Sequence, residues 1–196
     1  IERPLIGKAG GWGLEFRDLF YAPEPFKLLG ADLKSLEMRC LSHYMHKYDG
    51  GEYGKLLLDP DIKIHAVNQA AAGLSTYSEG KRFGFAFLYG AGAPKLGSIV
   101  DPLAPEHKQK RLGYRLKKRF IKKLPALGDL LDETERDVER DGYLIGLDGR
   151  KLHIRHKHSA LNTLLQSAGA LIAKKWIMLF IEFLEEDGFI HSWDGD

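Results

Sequence analysis

The sequence predicts an α+β protein that is predominantly helical, and three observations support this. Apolar residues recur at helical spacing through most of the 196 residues. Residues 144–154 have the composition of a β-hairpin, with Asp148-Gly149 at its turn. A long apolar segment, residues 159–186, is long enough for a helix of several turns. We therefore expect mostly helices and a small antiparallel sheet.

Composition sets further bounds. A chain of 196 residues with 44% hydrophobic and 29% charged residues suits one globular domain or two small ones. The single cysteine, Cys40, excludes an internal disulfide and favours a reducing compartment, so a cytoplasmic location is expected. No uncharged apolar stretch approaches the ~20 residues of a membrane span. The chain begins with Ile1 and without a signal peptide, and we expect it to be a fragment.

The first elements are predicted around a carboxylate. Residues 26–31 read as a short buried strand that runs into Asp32. Ser35 is a plausible N-cap for the helix that follows, and Gly50-Gly51 ends that helix. An apolar stripe at four-residue spacing marks its buried face: Leu36, Cys40 and Tyr44.

Further helices follow in order along the chain. They are predicted at residues 65–73, 78–89, 106–123 and 125–140. Gly90 to Pro94 end the second of these, and Pro125 separates the last two.

Charge is distributed unevenly along this helical region. The net charge is only +2, yet residues 107–123 are strongly basic and residues 132–141 strongly acidic. A basic helix can bind nucleic-acid phosphates. It can equally be a solvated helix that pairs with its acidic neighbour, and the sequence leaves both alternatives open.

Asp32 is the first candidate for chemistry. A carboxylate at the end of a buried strand can hold a hard cation through oxygen, and the exposed carbonyl of Leu33 could add another ligand. An isolated aspartate before a helix is more often a cap. Glu37, one turn into the helix, is either a first-turn charge favoured by the helix dipole or part of the same site.

A second candidate site lies on the helix at residues 78–89. Lys81, Phe85 and Tyr89 recur every four residues, so they drift only ~40° per step and share one face. A cation, a ring and a phenol in a row can bind phosphate and base. The alternative is an aromatic core stripe, which we expect for Phe83 and Phe87 on the other face.

Two amides form a third candidate. Asn162 and Gln166 stand one turn apart on an otherwise apolar helix. Such donors can test base-pair shape in the minor groove, where every pair offers acceptors. A simple polar stripe on an amphipathic helix is the alternative.

The motifs together resemble family A (polymerase I-like) DNA polymerases, especially the phage replicative branch. The matching segments are residues 32–39, 81–92, 146–151 and 161–170, and the resemblance spans residues 28–196. It implies a right-hand polymerase with fingers helices and part of an antiparallel palm sheet. The implied domains are a first palm part at 1–44, fingers at 45–158 and a second palm part at 159–196, truncated before the third motif.

The resemblance also implies roles for individual residues. Asp32 and Lys81 would be catalytic, and Asp32 with the Leu33 carbonyl would bind metal, with two Mg²⁺ ions in the complete enzyme. The implied nucleotide-binding residues are Glu37, His65, Lys81, Phe85 and Tyr89. Glu37 would exclude a ribose 2′-hydroxyl. The implied DNA-binding residues are Arg150, His153, Asn162 and Gln166.

The sequence departs from the family pattern at one position that is expected to bind the nucleotide triphosphate. The family has an arginine four residues before the lysine, and this chain has Tyr77 there. Either Arg82 or His65 compensates, or nucleotide affinity is weakened. Phe85, where other members have tyrosine, implies discrimination against dideoxynucleotides.

The implied function is template-directed DNA synthesis in phage replication. The expected partners are primer-template DNA, dNTPs, the missing polymerase segments or a complementary chain, and a processivity factor, with no membrane. The isolated chain is expected to be inactive. Two alternatives remain: a single-subunit phage-type RNA polymerase, against which Glu37 argues, and a helical DNA-binding module without chemistry.

Overall fold

The computed structural model describes residues 13–28 and 30–188, which fall into two compact units, 1–34 and 35–196. The first unit contains one short helix, α1 (Gly13–Asp18), followed by irregular chain. Its large apolar side chains are exposed, among them Phe20 and Tyr21.

The strand predicted at residues 26–31 is wrong. Residues 26–28 and 30–31 have no regular secondary structure, Phe26 and Leu28 are exposed, and Leu29 lies outside the described residues. A strand needs a neighbouring strand to satisfy its backbone N–H and C=O groups. Within the described part of the chain the only paired strands are those at 143–145 and 151–153, which pair with each other.

The second unit is built from eight helices and one hairpin among its described residues. The helices are α2 (Leu36–Asp49), α3 (Glu52–Leu58), α4 (Ile64–Ala72), α5 (Tyr77–Leu88), α6 (Ala93–Ser98), α7 (Glu106–Lys123), α8 (Pro125–Asp141) and α9 (Ala160–Glu186). The strands are β1 (Tyr143–Ile145) and β2 (Lys151–His153), and a 3₁₀ turn at Lys157–Ser159 precedes α9. The predominantly helical α+β class is confirmed.

The predicted start and end of α2 are largely confirmed. Ser35 occupies the N-cap position, but its backbone is left-handed, with φ 56°, and its side chain makes no capping hydrogen bond. Gly50 and Gly51 have φ of 61° and 88°, which glycine adopts without steric cost. The chain therefore turns between α2 and α3 where the two glycines were expected to break it.

One apolar core joins most helices of the second unit. The predicted stripe of α2 faces it, with Cys40 buried and Leu36 and Tyr44 partly buried. Burial raises the pKa of the Cys40 thiol, as expected for an unreactive core cysteine. The largest fully buried apolar side chains of this core come from α2, α5, α6, α8 and α9: Met38, Met45, Phe83, Leu96, Leu127, Leu130 and Leu165.

Helices α6 and α7 pack unusually closely. A Cβ added at Gly97 would lie 1.9 Å from the backbone oxygen of Gln109, and one added at Gly113 would lie 1.9 Å from that of Ala93. Only glycine permits this approach of two backbones. The two contacts fix the orientation of α7 against α6.

The predicted hairpin is confirmed. β1 and β2 are antiparallel, with Tyr143 opposite His153 and Leu144 opposite Leu152. Gly149 in the turn has φ of 80°. Leu144 is buried in a small second cluster with Ala160 and Leu164, so the hairpin packs onto the start of α9.

Helix α9 changes character along its length. Its first turns are buried in the core, including Leu161, Leu165 and Ala168, whereas Met178 and Phe183 in the second half are exposed. By length and composition alone, residues 157–186 would also suit a membrane span, which for a single helix is weak evidence. The buried first turns are those of a core helix.

Candidate nucleotide-binding site

The candidate site is centred on α5, whose start is fixed by a capping box. The Thr76 side chain accepts a hydrogen bond from the Glu79 backbone N–H at 3.2 Å, and Glu79 Oε2 accepts one from the Thr76 N–H at 2.8 Å. These reciprocal bonds satisfy backbone donors that the first helical turn leaves unpaired. The register of α5, and with it the direction of every side chain on it, is therefore set at Thr76.

The two faces of α5 separate as predicted. Phe83 and Phe87 are buried, and both rings contact Phe120 of α7, with ring centroids 5.4 and 5.1 Å away. On the other face Lys81 is exposed and Phe85 is half-buried. The buried phenylalanines anchor the helix so that the second face stays open.

His65 of α4 packs against Phe85 on this open face. Its ring centroid lies 5.3 Å from that of Phe85 and 6.1 Å from that of Tyr77. The side chain is buried, and its Nδ1 has no hydrogen-bond partner. Burial lowers the pKa of His65, Lys81 lowers it further and Glu37 opposes both. His65 is thus held as a neutral ring against Phe85.

Tyr89 links three elements at the end of α5. Its hydroxyl donates to Glu37 Oε1 at 3.4 Å, and the Gln166 side chain of α9 lies near enough to oppose the rise in the pKa of Tyr89. Partial burial and the Glu37 carboxylate raise the pKa of Tyr89. The structure therefore brings together Glu37, Tyr89 and Gln166, which are far apart in sequence.

A shallow groove of about 520 Å³ opens along α5 toward α6. Three cationic side chains and two aromatic rings border it, and no described residue that lines it is acidic. The lining residues are Lys81, Arg82, Phe85, Ala86, Tyr89, Ala91, Lys95 and Ile99. Positive charge beside apolar rings suits a ligand that combines phosphate with a flat base.

Arg82 lines the groove as a second cation beside Lys81, whereas His65 is not among the lining residues. Tyr77, at the position where the family has arginine, contacts the His65 ring and carries no positive charge. His65 is buried and kept neutral, whereas Arg82 is exposed and lines the groove with Lys81. The sequence left open whether Arg82 or His65 compensates or nucleotide affinity is weakened; of the two residues, this geometry favours Arg82.

The predicted DNA-binding residues occupy two places. Arg150 and His153 are exposed on the hairpin. Arg150 Nε donates to Asp148 at 2.7 Å, and the His153 ring lies 6.1 Å from that of Tyr143. On α9 Asn162 is half-buried, while Gln166 is exposed. The Gln166 side chain lies near Tyr89 at the end of the α5 face. The role of all four residues toward DNA stays a prediction.

Asp32 and Leu33 lie in the first unit, in chain without regular structure. Asp32 is exposed, and Leu33 is half-buried. Their carboxylate and carbonyl oxygens have the chemistry that hard cations prefer. However, the described residues contain no group of three or more histidine, cysteine or acidic side chains placed to hold an ion. One carboxylate and one carbonyl do not complete a metal site.

Lys95 is a groove residue that the sequence did not single out. It stands on α6, a six-residue helix with Pro94 near its start. The run Gly90 to Pro94 indicated only the end of α5. Proline is frequent in the first turn of a helix, and this was the available signal for α6.

The site has the features of a nucleotide-binding helix face, and comparison with known proteins specifies the class further. The chain is 42% identical over 187 residues to the DNA-directed DNA polymerase of Escherichia phage T7, covering 88% of this chain and 25% of that protein. It is 37% identical over 192 residues to the DNA-directed DNA polymerase of Escherichia phage Phieco32, covering 81% of this chain and 30% of that protein.

A more distant relative is DNA polymerase I of Pseudomonas aeruginosa, 25% identical over 199 residues, with 90% of this chain and 20% of that protein covered. No protein-family model matches the chain. The chain spans between a fifth and a third of the length of these relatives. The resemblance predicted from the motifs is confirmed: the chain is similar to a segment of family A, phage-type DNA polymerases.

Proposed function

We propose that this chain is the dNTP-binding part of a phage-type DNA-directed DNA polymerase, which extends a primer 3′-hydroxyl along a DNA template. The observation that carries the proposal is the α5 face, on which Lys81, Phe85 and Tyr89 line one cationic groove. The identity to the phage T7 polymerase supports the same function.

Each residue of the face has a proposed task. Lys81 and Arg82 bind the triphosphate, because ammonium and guanidinium groups form strong charge-assisted hydrogen bonds with phosphate. Phe85, supported by His65, packs against the base or sugar. Glu37, held by the Tyr89 hydroxyl, lies beside this face and excludes a ribose 2′-hydroxyl.

We further propose that Asp32 and the Leu33 carbonyl contribute oxygen ligands to Mg²⁺ ions, and that the remaining ligands come from outside the described residues. Two bound Mg²⁺ ions would stabilise the attacking and leaving oxygens of the transfer. Arg150, His153, Asn162 and Gln166 are proposed neighbours of the primer-template duplex. The proposal also assigns residues 1–44 and 159–196 to the palm and residues 45–158 to the fingers. It places the polymerase in the cytoplasm of the host cell and includes a processivity factor as a further partner.

The test is primer extension by a hybrid polymerase in which this chain replaces the matching quarter of the phage T7 enzyme. We expect extension with dNTPs and not with rNTPs, and we expect Asp32→Ala and Lys81→Ala each to abolish it. Lys63→Ala, which removes an exposed charge from outside the groove, is the matched control and should leave extension unchanged.

Each alternative function predicts another result. A hybrid that incorporates rNTPs as readily as dNTPs would identify an RNA polymerase. A folded hybrid that binds primer-template but does not extend it would identify a DNA-binding module. The isolated chain is expected not to extend a primer.

A further inference from the structure

Helix α7 carries a dense and uncompensated positive charge. Nine of its eighteen residues are cationic, all nine are exposed, and Glu106 at its start is its one acidic residue. The cationic residues are Lys108, Lys110, Arg111, Arg115, Lys117, Lys118, Arg119, Lys122 and Lys123. Such a helix raises the local concentration of polyanions.

The acidic helix α8 does not neutralise this charge. Among the described residues no ion pair within 4.0 Å joins α7 to α8. Four of the seven acidic residues of α8 pair elsewhere: Glu133 with Lys47 of α2, Glu139 with Lys157, and Asp137 and Asp141 with Arg140 of the same helix. The alternative of a solvated helix paired with its acidic neighbour is therefore not what the structure shows.

The charge is concentrated on the side of α7 that faces away from the core. Leu116 and Phe120 are buried. At about 100° per residue, the opposite side carries a continuous stripe that we call the α7 basic face, made of Arg111, Tyr114, Arg115, Lys118 and Lys122. Close packing of α6 against Gly113 holds this face outward.

Two other cations of the helix are partly engaged in packing. Lys117 Nζ lies 5.9 Å from the Phe87 ring centroid, and the Arg119 guanidinium fills the space beside Gly73 at the end of α4. The α7 basic face is distinct from them, and its cationic side chains are exposed.

An aromatic ring lies in the middle of the α7 basic face. Tyr114 is 59% exposed, three residues after Arg111 and four before Lys118. Exposed aromatic rings between cations are the pattern of single-strand binding, because bases stack on the rings while the cations contact the phosphates. A duplex keeps its base faces stacked inside, so that only phosphates, sugars and base edges face a protein and no base face is free to stack on Tyr114. An acidic peptide offers carboxylates but no flat bases.

We propose that the α7 basic face binds single-stranded DNA, with Arg111, Arg115, Lys118 and Lys122 on the phosphates and Tyr114 stacked on a base. The face is about 16 Å long, which suffices for several successive phosphates. This binding site is separate from the α5 groove and does not depend on nucleotide binding there.

The test is a fluorescence-anisotropy titration of labelled twenty-nucleotide oligo(dT) with the whole 196-residue chain over a range of salt concentrations. The variant Arg111→Gln/Arg115→Gln/Lys118→Gln should bind at least about tenfold more weakly at low salt. Its slope of log affinity against log salt should fall by about 2, because each lost phosphate contact removes about 0.7 for a single strand.

The matched control is Lys63→Gln/Lys174→Gln/Lys175→Gln, which removes the same charge from exposed positions outside α7. It should retain affinity within about twofold, and Lys81→Ala should also retain it. Tyr114→Ala should weaken binding by about five- to a hundredfold, and Tyr114→Phe should not. Circular dichroism should be unchanged in all variants, since the altered side chains are exposed.

Four outcomes would overturn the proposal. The first is equal affinity loss in the two triple variants, and the second is unchanged binding by Tyr114→Ala. The third is a twenty-base-pair duplex whose affinity falls as much as that of oligo(dT) in the Arg111→Gln/Arg115→Gln/Lys118→Gln variant. The fourth is displacement of labelled oligo(dT) by polyglutamate at a lower concentration of negative charges than unlabelled oligo(dT) requires for the same displacement.

Discussion

Two segments carry equally clear family motifs, yet they fold differently. Residues 81–88 belong to a capped helix with one face buried in the core, so their open face is already arranged as a groove. Residues 26–28 and 30–33 have no regular structure, and Asp32 is exposed. A motif on a helix carries its own geometry, because helical hydrogen bonds are local. A motif at a strand end depends on neighbouring strands.

The largest expected difference between these segments is in stability. Phe83→Ala removes a fully buried ring from α5 and should lower the free energy of unfolding by about 3–5 kcal/mol. Phe26→Ala alters a 64% exposed ring and should change it by less than about 0.5 kcal/mol. Urea denaturation of both variants measures the two values. Equal losses would mean that residues 26–33 are packed as tightly as α5.

The second expected difference is in nucleotide affinity. Lys81→Ala should weaken dNTP binding to the chain by about 1.5–3 kcal/mol, or about 10- to 150-fold, because a charge-assisted phosphate contact is lost. Asp32→Ala, measured in EDTA, should leave this affinity unchanged. Titration with a fluorescent dATP analogue provides both constants. A Lys81 variant that binds like wild type would contradict the assignment of the groove.

A third prediction concerns pH. The pKa of His65 is lowered in the folded chain, chiefly by burial, below its usual value of 6.5. As pH falls below 6.5 the unfolded chain takes up a proton before the folded one does, so this residue makes stability fall until the folded pKa is reached. Above 6.5 it contributes no pH dependence.

His65→Phe should therefore lose less stability than wild type on acidification. The measurement is the free energy of unfolding of both proteins between pH 8 and pH 5. A parallel pH dependence in the two proteins would show that His65 titrates normally.

The smallest expected effect is at Tyr89. Tyr89→Phe removes the hydroxyl that donates to Glu37 and should cost at most about 1 kcal/mol of unfolding free energy, because the side chain is partly exposed. In the Tyr89→Phe background, Glu37→Gln should then cause little further loss of unfolding free energy. Additive losses in this double-mutant cycle would show that the two side chains do not interact.

The sequence predicted those parts of the fold that rest on local signals. Helices α5, α7, α8 and α9 and the hairpin at Asp148-Gly149 lie within two residues of their predicted places. The short helices α1, α3 and α6 were missed, because six or seven residues give too few turns for a periodic pattern. The strand at 26–31 was wrong because an apolar run does not show whether a partner strand is present.

In the candidate site, too, the sequence predicted what depends on local spacing and missed what depends on contacts between distant segments. Lys81, Phe85 and Tyr89 were predicted to share a face because their spacing alone places them on it. The hydrogen bond of Tyr89 with Glu37, with Gln166 nearby, brings three helices together across long sequence separations. No local pattern contains that information. The choice of Arg82 over His65 likewise required the burial of His65, which only packing reveals.

The most direct test of the account is photo-crosslinking of the chain with 8-azido-dATP, followed by peptide mapping. We expect the label in α5, at or near Phe85 and Tyr89, with protection by unlabelled dNTPs and loss of labelling in Lys81→Ala. Labelling outside the α5 groove that Lys81→Ala does not reduce would contradict the assignment of this helix face as the nucleotide site.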